Sequence, residues 1–355
     1  MKKKKRVAII AHGLGDGGAE RVASLLANHY HSIGINVLFI AIYHDKREYS
    51  IHNEIEYRYV DVHGKKGLFA LWQRSVCALR LVKEFKADAV ISFVEHEILL
   101  LPLSGADIIP TLRNDPQSTE RGFFLKKLRD FNYFNSKKIV FQTEGARNYF
   151  SQVIRKKGVI IRNPLKDGLP YWNEENHEKI FITACRMSTQ KNIPMLIEAF
   201  ATFYSEHKEY SLEIYGTGSD EQIKQIQSLV EKLGVREAVH LKGHSTEIHK
   251  HMCRAEAFVL SSNYEGLSNS MLEAMAIGVP CICTDCPPGG AREVMAAKFA
   301  GILVPVGDVP ALTSAMQKVA SSPELRICLS ENEKYIREEL NSQKIYEQWV
   351  DVLYK

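Results

Sequence analysis

Two glutamates separated by seven residues, Glu265 and Glu273, frame the run Gly266-Leu267-Ser268-Asn269. Carboxylates accept hydrogen bonds from hydroxyl groups, and free backbone amides at the start of a helix attract an anion. The segment reads as loop, helix, glycine stop and next strand. Ser268 or Asn269 caps the helix, Gly278 ends it, and Pro280 leads into a strand. Glu265 then lies at the carboxyl end of a strand over Ala257–Leu260, where open α/β sheets take ligands. Glu273 falls roughly a turn and a half inside the helix. A phosphate suits the amides of Gly266 to Asn269, and sugar hydroxyls suit the acids on either side. The competing account is a capped surface helix with incidental acids.

Two cations, Arg186 and Lys191, follow a strand over Ile180–Thr183. Arg can bind a diphosphate bidentately and Lys acts as a point charge. Alone, the pair also fits ordinary solvated charge. Gly216 and Gly218 form a strand-to-helix turn after Ser211–Tyr215, and Lys242-Gly243-His244 follows Val239–Leu241. Four strands of the second half thus end in permissive or charged loops, as one nucleotide-sized pocket requires.

In the first half, Gly13, Gly15 and Gly18 match G-x-G-x-x-G between a strand and a helix, with Gly17 and Arg21 in the same run. A dinucleotide site needs an acid about 20 positions on; Asp45, following Tyr43-His44, is the only candidate. An NAD(P) oxidoreductase rests on this run alone and leaves Glu265–Glu273 unexplained. His12, His96, Arg113 and Asn114 lie at or just after strand ends. His96 is the candidate for activating an acceptor, with Glu95 and Glu97 competing for the role.

These residues need elements that hold them. Apolar runs predict strands at 6–11, 36–42, 89–93, 108–112, 138–141 and 159–161. A second series is predicted at 180–183, 211–215, 239–241, 257–260, 280–283 and 301–304. Helical spacing separates them, for example at Ala19–Ser32, Ile193–Glu206 and Glu221–Leu233. Alternating βαβα with continuous apolar strands predicts α/β architecture, two doubly wound Rossmann-like domains with parallel sheets. The expected division is 1–163 and 164–341, at Asn163-Pro164, with Leu165 to Lys179 as a polar linker. The helix in 342–355 either finishes the second domain or crosses back to the first.

The chain has 355 residues, 45% hydrophobic and 25% charged, which excludes dominant disorder. Net charge is +4. Split at residue 165, the first part holds 27 basic and 16 acidic residues, net +11; the second holds 19 and 26, net −7. This polarity suggests a positive face for an anionic partner, or surface charge with no partner. The net charge is too mild for nucleic acid, and no nucleic-acid motif is present. Seven cysteines fit a reducing cytoplasm better than a disulfide scaffold. Lys2–Arg6 is followed by only Val7–Ala11 before His12, too short for a signal peptide. No stretch approaches the ~20 apolar residues of a membrane span. Cys281, Cys283 and Cys286 read as core thiols rather than a metal site, and His244, His249 and His251 as solvated. The segment Arg121–Phe134 mixes aromatics and cations. It suits a helix on an anionic membrane, with Lys2–Arg6 as a second contact, or equally one packing its Phe face on the sheet.

Taken together, the motifs GGAER at Gly17–Arg21, R-x4-KN at Arg186–Asn192, YGTG at Tyr215–Gly218 and KGH at Lys242–His244 resemble those of family 4 glycosyltransferases. EGLSNSMLEAMAIGVP at Glu265–Pro280 is the most specific match. The family has the GT-B fold, with two domains facing across a cleft, and its members are retaining enzymes that use nucleotide sugars. The segment Thr284–Glu293 resembles the variant of bacterial surface-polysaccharide enzymes, except that Gly290 stands where a second proline usually falls. Thr111–Pro116, with Arg113 and Asn114, resembles a first-domain cleft loop.

The resemblance implies that the second domain holds a UDP- or GDP-linked sugar and the first a saccharide or lipid-diphosphate acceptor. Arg186 and Lys191 would stabilise the departing diphosphate, and the amides of Leu267, Ser268 and Asn269 its distal phosphate. Glu273 would bind the ribose and Glu265 the donor sugar. No essential metal is expected, since the sequence lacks Asp-x-Asp. The product would be a capsular or exopolysaccharide, O-antigen or related glycan, made in the cytoplasm or at the inner membrane face. A sugar-nucleotide epimerase of related fold and a non-catalytic binding protein compete with the transferase.

Overall fold

The computed structural model describes residues 5–354 apart from 16, 44–47, 61, 63–66, 97 and 119–121. Residues 2–4, His44, Asp45, Glu97 and Arg121, named in the sequence analysis, lie outside the described residues. The chain forms two compact units, Met1–Pro164 with Ile345–Lys355, and Leu165–Lys344.

The first unit runs β1 (Arg6–Ala11), α1 (Gly18–Ser32), β2 (Asn36–Ala41), β3 (Glu56–Tyr59), α2 (Gly67–Phe85), β4 (Ala89–Ser92) and β5 (Asp107–Leu112). It continues with α3 (Phe123–Phe134), β6 (Ile139–Phe141), α4 (Glu144–Asn148), α5 (Gln152–Lys157) and β7 (Gly158–Ile160). Its sheet has the order β3-β2-β1-β4-β5-β6-β7, and the paired strands are parallel. Val7–Ala11 and Val37–Ala41 are buried throughout, because helices cover both faces of a parallel sheet. The strand β3 was not expected. Its sequence EYRY has no apolar run, and it is an exposed edge strand held by pairing to β2.

The second unit runs β8 (Glu178–Ala184), α6 (Ile193–Glu206), β9 (Ser211–Tyr215), α7 (Asp220–Lys232), β10 (Val239–Gly243), α8 (Ile248–Cys253) and β11 (Ala255–Leu260). Then come α9 (Asn269–Ile277), β12 (Cys281–Thr284), α10 (Gly290–Met295), β13 (Ile302–Val304), α11 (Val309–Ser321), α12 (Pro323–Glu333) and α13 (Ile336–Glu339). The parallel sheet has the order β10-β9-β8-β11-β12-β13. Its core packs Leu196, Phe200 and Phe203 of α6 against Phe181 and Leu212 of the sheet. Leu165 to Lys179 is not a free linker. Leu165, Leu169 and Trp172 are buried, and Trp172 Nε1 donates to the Ala255 carbonyl at 2.8 Å. Three large apolar residues dock, and Glu174 and His177 turn inward to pair with the buried Arg326 and Glu256.

The last helix, α14 (Ser342–Tyr354), lies with the first unit from Ile345 onward. There Tyr30 Oη donates to the Trp349 carbonyl at 3.1 Å, and His29 stacks on Tyr346. Each sheet reverses strand order once, at β1/β4 and at β8/β11. Ligands of doubly wound sheets bind at the carboxyl ends of the strands beside such a switch.

Candidate active site

In the second unit the switch point joins the loop after β8 to the loop after β11. Asn192 holds left-handed backbone, φ 46°, and its side chain caps α6. Its Nδ2 donates to Asn263 Oδ1 at 2.9 Å. Asn263 N donates to the Gln190 carbonyl at 2.7 Å, and Ser261 Oγ donates to the Lys191 carbonyl at 2.9 Å. The two loops are thereby one rigid piece.

Lys191 Nζ donates to Glu265 Oε1 in an ion pair, with both side chains largely buried. Ser262 Oγ donates to the same oxygen at 2.9 Å, and Gln190 Nε2 approaches Oε2 at 3.4 Å. Gln190 and Ser262 carried no spacing signal in the sequence. Arg186 is exposed and makes no hydrogen bond or ion pair among the described residues. It is a cation whose charge no neighbouring carboxylate answers.

Gly266, Leu267 and Ser268 are buried, and Ser268 Oγ caps α9 by accepting from Met271 N at 3.4 Å. Asn269 opens the helix. Glu273 is buried on α9 and meets His249 Nε2 at 2.8 Å. His249 is therefore not solvated, because α8 packs on α9 and brings the imidazole to the acid. Nor is His251, which stacks on Tyr215 at 4.8 Å. His244 is exposed.

The glycines bring backbones together. A Cβ on Gly216 (φ 132°) would lie 1.8 Å from the Cys185 carbonyl oxygen, and one on Gly218 would lie 2.8 Å from Met187 Cβ. Gly216 N donates to the Gly243 carbonyl at 2.8 Å. The ends of β8, β9 and β10 are thus drawn around one edge. Lys242 is held away from it by Glu213, at 3.3 Å. Burial alone would raise the Glu213 carboxyl, but hydrogen bonds from Arg254 and Tyr215, with Lys242 nearby, outweigh it and hold it below the usual carboxylate range. Cys281, Cys283 and Cys286 are buried, and burial drives all three thiols up, Cys286 to about 12. At neutral pH they are thiols rather than thiolates.

In the first unit, Gly15 is buried after β1, Gly17 is the N-cap of α1 and Gly18 its first residue. Arg21 is buried. Glu20 folds back over the turn. A Cβ on Gly17 would lie 1.8 Å from Glu20 Oε2, and Glu20 Oε1 meets His12 Nδ1 at 3.3 Å. A carboxylate covers the place where a pyrophosphate would approach, which disfavours the dinucleotide account. His96 is half-buried after β4. Arg113 follows β5 beside two neighbouring rings, its guanidinium 5.0 Å from Phe93 and 5.6 Å from Trp349. Its Nη1 donates to Asn163 Oδ1 at 3.0 Å, while Nε and Nη2 have no hydrogen-bond partner among the described residues. Burial lowers its pKa to about 9. Asn114 turns back, its Oδ1 accepting from Asp115 N at 2.9 Å. Trp349 was missed as a site residue because its position depends on the return of α14.

Residues 170–335 match the family described as glycosyl transferases group 1. The chain is similar to an uncharacterized glycosyltransferase of Haemophilus influenzae, 23% identical over 98% of this chain and 100% of that protein. It is 22% identical to the amylovoran biosynthesis glycosyltransferase AmsD of Erwinia amylovora, over 98% of this chain and 99% of AmsD. Its fold is similar to that of Anabaena HepE, a crystal structure in complex with UDP and glucose. The TM-score is 0.83 at 13% identity, covering 98% of this chain and 99% of that one. These findings give an epimerase or an oxidoreductase no support.

Proposed function

From the premise that this chain is a glycosyltransferase of the GT-B fold, with a glycosyl transferases group 1 domain at residues 170–335, we propose that it is a retaining enzyme. It transfers a sugar from a nucleoside diphosphate to a saccharide or lipid-diphosphate acceptor. The observation that carries this reading is the β8/β11 switch point: exposed Arg186, the Lys191–Glu265 pair and the start of α9 occupy adjoining loops.

The bond from the sugar's anomeric carbon to the diphosphate oxygen breaks, and its electron pair leaves on that oxygen. Arg186, Lys191 and the amides of Leu267, Ser268 and Asn269 stabilise the charge. The acceptor hydroxyl attacks from the face the diphosphate leaves and gives up its proton, for which His96 is the candidate acceptor. Glu273, oriented by His249, binds the ribose, and Glu265 binds the donor sugar. This charge set needs no divalent ion. UDP is the first candidate nucleotide, since HepE was solved with UDP and glucose, and GDP the second. The likeness to AmsD, a glycosyltransferase of amylovoran biosynthesis, favours a role in polysaccharide biosynthesis.

Acceptor phosphate would meet Arg113, which remains a cation at neutral pH and keeps two donors unused. We place the protein in the cytoplasm, attached peripherally to the anionic membrane face. No helix among the described residues is long and apolar enough to cross a membrane. The phenylalanines of α3 do not pack on the sheet: Phe123, Phe124, Phe131 and Phe134 are exposed. Leu128 and Tyr133 turn inward instead, beside Arg129, which donates to the Pro116 carbonyl. On α2, Leu68, Phe69 and Trp72 are exposed too. Ile108 packs under α2 and Leu112 under α3. Residues four apart on one strand share a face, so both apolar rows lie on the same side of the sheet.

The test is incubation with a panel of UDP- and GDP-sugars and a lipid-linked acceptor extract, followed by mass spectrometry and assignment of the anomeric configuration. Transfer with retention is expected. Inversion, or no consumption of any nucleotide sugar, would sink the reading.

A further inference from the structure

Two histidines and a glutamate come together at the carboxyl end of α1. His31 is in the last turn of α1, and His52 and Glu54 are in the loop before β3. The ligand atoms of the three residues all lie within 4.8 Å of one another. His31 Nε2 and Glu54 Oε2 are 3.3 Å apart. That is the edge length of a tetrahedron around an ion with bonds of about 2.0–2.1 Å, the range for zinc with His and carboxylate. The His31 and His52 rings stack at 4.4 Å.

The lone pair of His52 is already aimed. Glu54 N donates to His52 Nδ1 at 3.3 Å, so Nδ1 is the unprotonated nitrogen and faces the Glu54 side of the loop. This bond is long, and an ion at Nδ1 would replace it with a stronger interaction. The loop is pinned to the helix that carries His31. Asn28, one turn earlier on α1, accepts from His52 N at 2.8 Å and donates to the Ser50 carbonyl at 3.0 Å. Buried Ile55 anchors the far end, its N donating to the His52 carbonyl. The cluster also lies at the carboxyl end of α1, where the partial negative charge of the helix dipole favours a cation.

We propose that His31 Nε2, His52 Nδ1 and Glu54 Oε2 form a divalent-metal site of the zinc class, with water completing the coordination. Imidazole and carboxylate ligands in this number suit Zn2+ better than Mg2+ or Ca2+, which prefer oxygen alone. The site braces the 50–55 loop and edge strand β3 against α1. It is not catalytic: the 15-residue helix α1 puts about 22 Å between its two ends, and the glycine turn lies at the other one.

The experiment uses the full chain, stripped with EDTA and dialysed, carrying Cys328→Ser to remove the exposed thiol. Calorimetric titration with ZnCl2 is expected to show one site. Affinity should fall about tenfold or more in His31→Ala and in His52→Ala, ligand removal costing at least what outer-shell changes cost. Glu54→Gln, at an exposed position, provides a variant that keeps the loop intact. Co2+ should give the visible absorption of nitrogen and oxygen ligation without a thiolate charge-transfer band. Zinc should raise the unfolding temperature of the parent and leave that of the double histidine variant unchanged. Absence of 1:1 binding, undiminished binding in the double variant, or a thiolate spectrum with cobalt would each overturn the proposal.

Discussion

Lys191 and Glu265 are paired at the β8/β11 switch point, and Ser262 donates to the Glu265 oxygen that Lys191 holds. Arg186, five residues before Lys191, has no such partner among the described residues. The two cations are therefore distinguishable by mutation. Arg186→Ala should lower turnover by about tenfold or more, the loss of one transition-state interaction, and leave thermal stability near the parent's. Lys191→Ala should lower turnover at least as much and also destabilise the fold, because it strands a largely buried carboxylate. Steady-state kinetics and thermal unfolding on the same preparations check both. Unchanged turnover in both variants would refute the donor assignment.

Gly290 departs from the proline usual in the surface-polysaccharide pattern, and the structure gives a physical reason. A Cβ there would lie 2.3 Å from the Gly266 carbonyl oxygen. In Gly290→Ala the loop before α9 must move, and with it the amides of Leu267 and Ser268. A displacement of this kind should reduce kcat/KM for the donor by about tenfold to a hundredfold. Kinetics with variable donor concentration would show it, and a wild-type value would mean that the loop has no part in donor binding.

The local structure of Glu265–Pro280 was legible because one continuous segment carries it. Glu265 through Pro280 spells loop, cap, helix and stop in order, so positions follow from local rules. The strands β1, β2, β8 and β11 were legible for a related reason: burial on both faces writes an unbroken apolar run. The strand β3 was not, since an exposed edge strand has no such run. His249 and Trp349 were invisible for a third reason. Each reaches its partner, Glu273 or Arg113, through the packing of a whole helix, and no spacing in the chain encodes that. The phenylalanines of α3 show the limit of composition. The same residues suit a face turned inward or outward, and only the burial of Leu128 and Tyr133 decides between the two.

Glu213 governs an acid limb of stability. Its pKa is held below the ordinary carboxylate value in the folded state, so it stabilises above the unfolded pKa. That contribution is lost as pH falls through the folded pKa. Glu213→Gln should be less stable than the parent at pH 7. The gap should narrow as pH drops from about 4.3, the free glutamate value, toward the depressed one. Denaturant unfolding across that window measures it, and a gap that stays constant or widens would contradict the assignment.

Chelation separates charge supplied by side chains from charge supplied by a metal. If Arg186, Lys191 and the start of α9 stabilise the diphosphate, turnover in excess EDTA should match turnover without it. The His31–His52–Glu54 cluster does not alter this expectation, since it stands at the far end of α1. Loss of activity in EDTA, restored by a divalent ion, would refute the metal-free mechanism.

The exposed aromatic rows on α2 and α3 make a prediction with two independent handles. Phe123 and Phe124 are 77% and 60% exposed, and Lys127 lies over the Phe123 ring at 5.5 Å. Apolar rings would enter the headgroup boundary while lysines meet anionic lipid, each basic residue contributing about 1 kcal/mol near the surface. Vesicles containing phosphatidylglycerol should therefore sediment the protein, and neutral vesicles should do so poorly. Raising salt from about 0.05 to 0.5 M should weaken binding, because the Debye length shrinks well below 10 Å. Phe123→Ser with Phe124→Ser should weaken binding at every salt concentration, since it removes the apolar share. These side chains are exposed, so the variant should unfold at the parent's temperature. Sedimentation indifferent to lipid charge, salt and both substitutions would leave the aromatic rows without a membrane role.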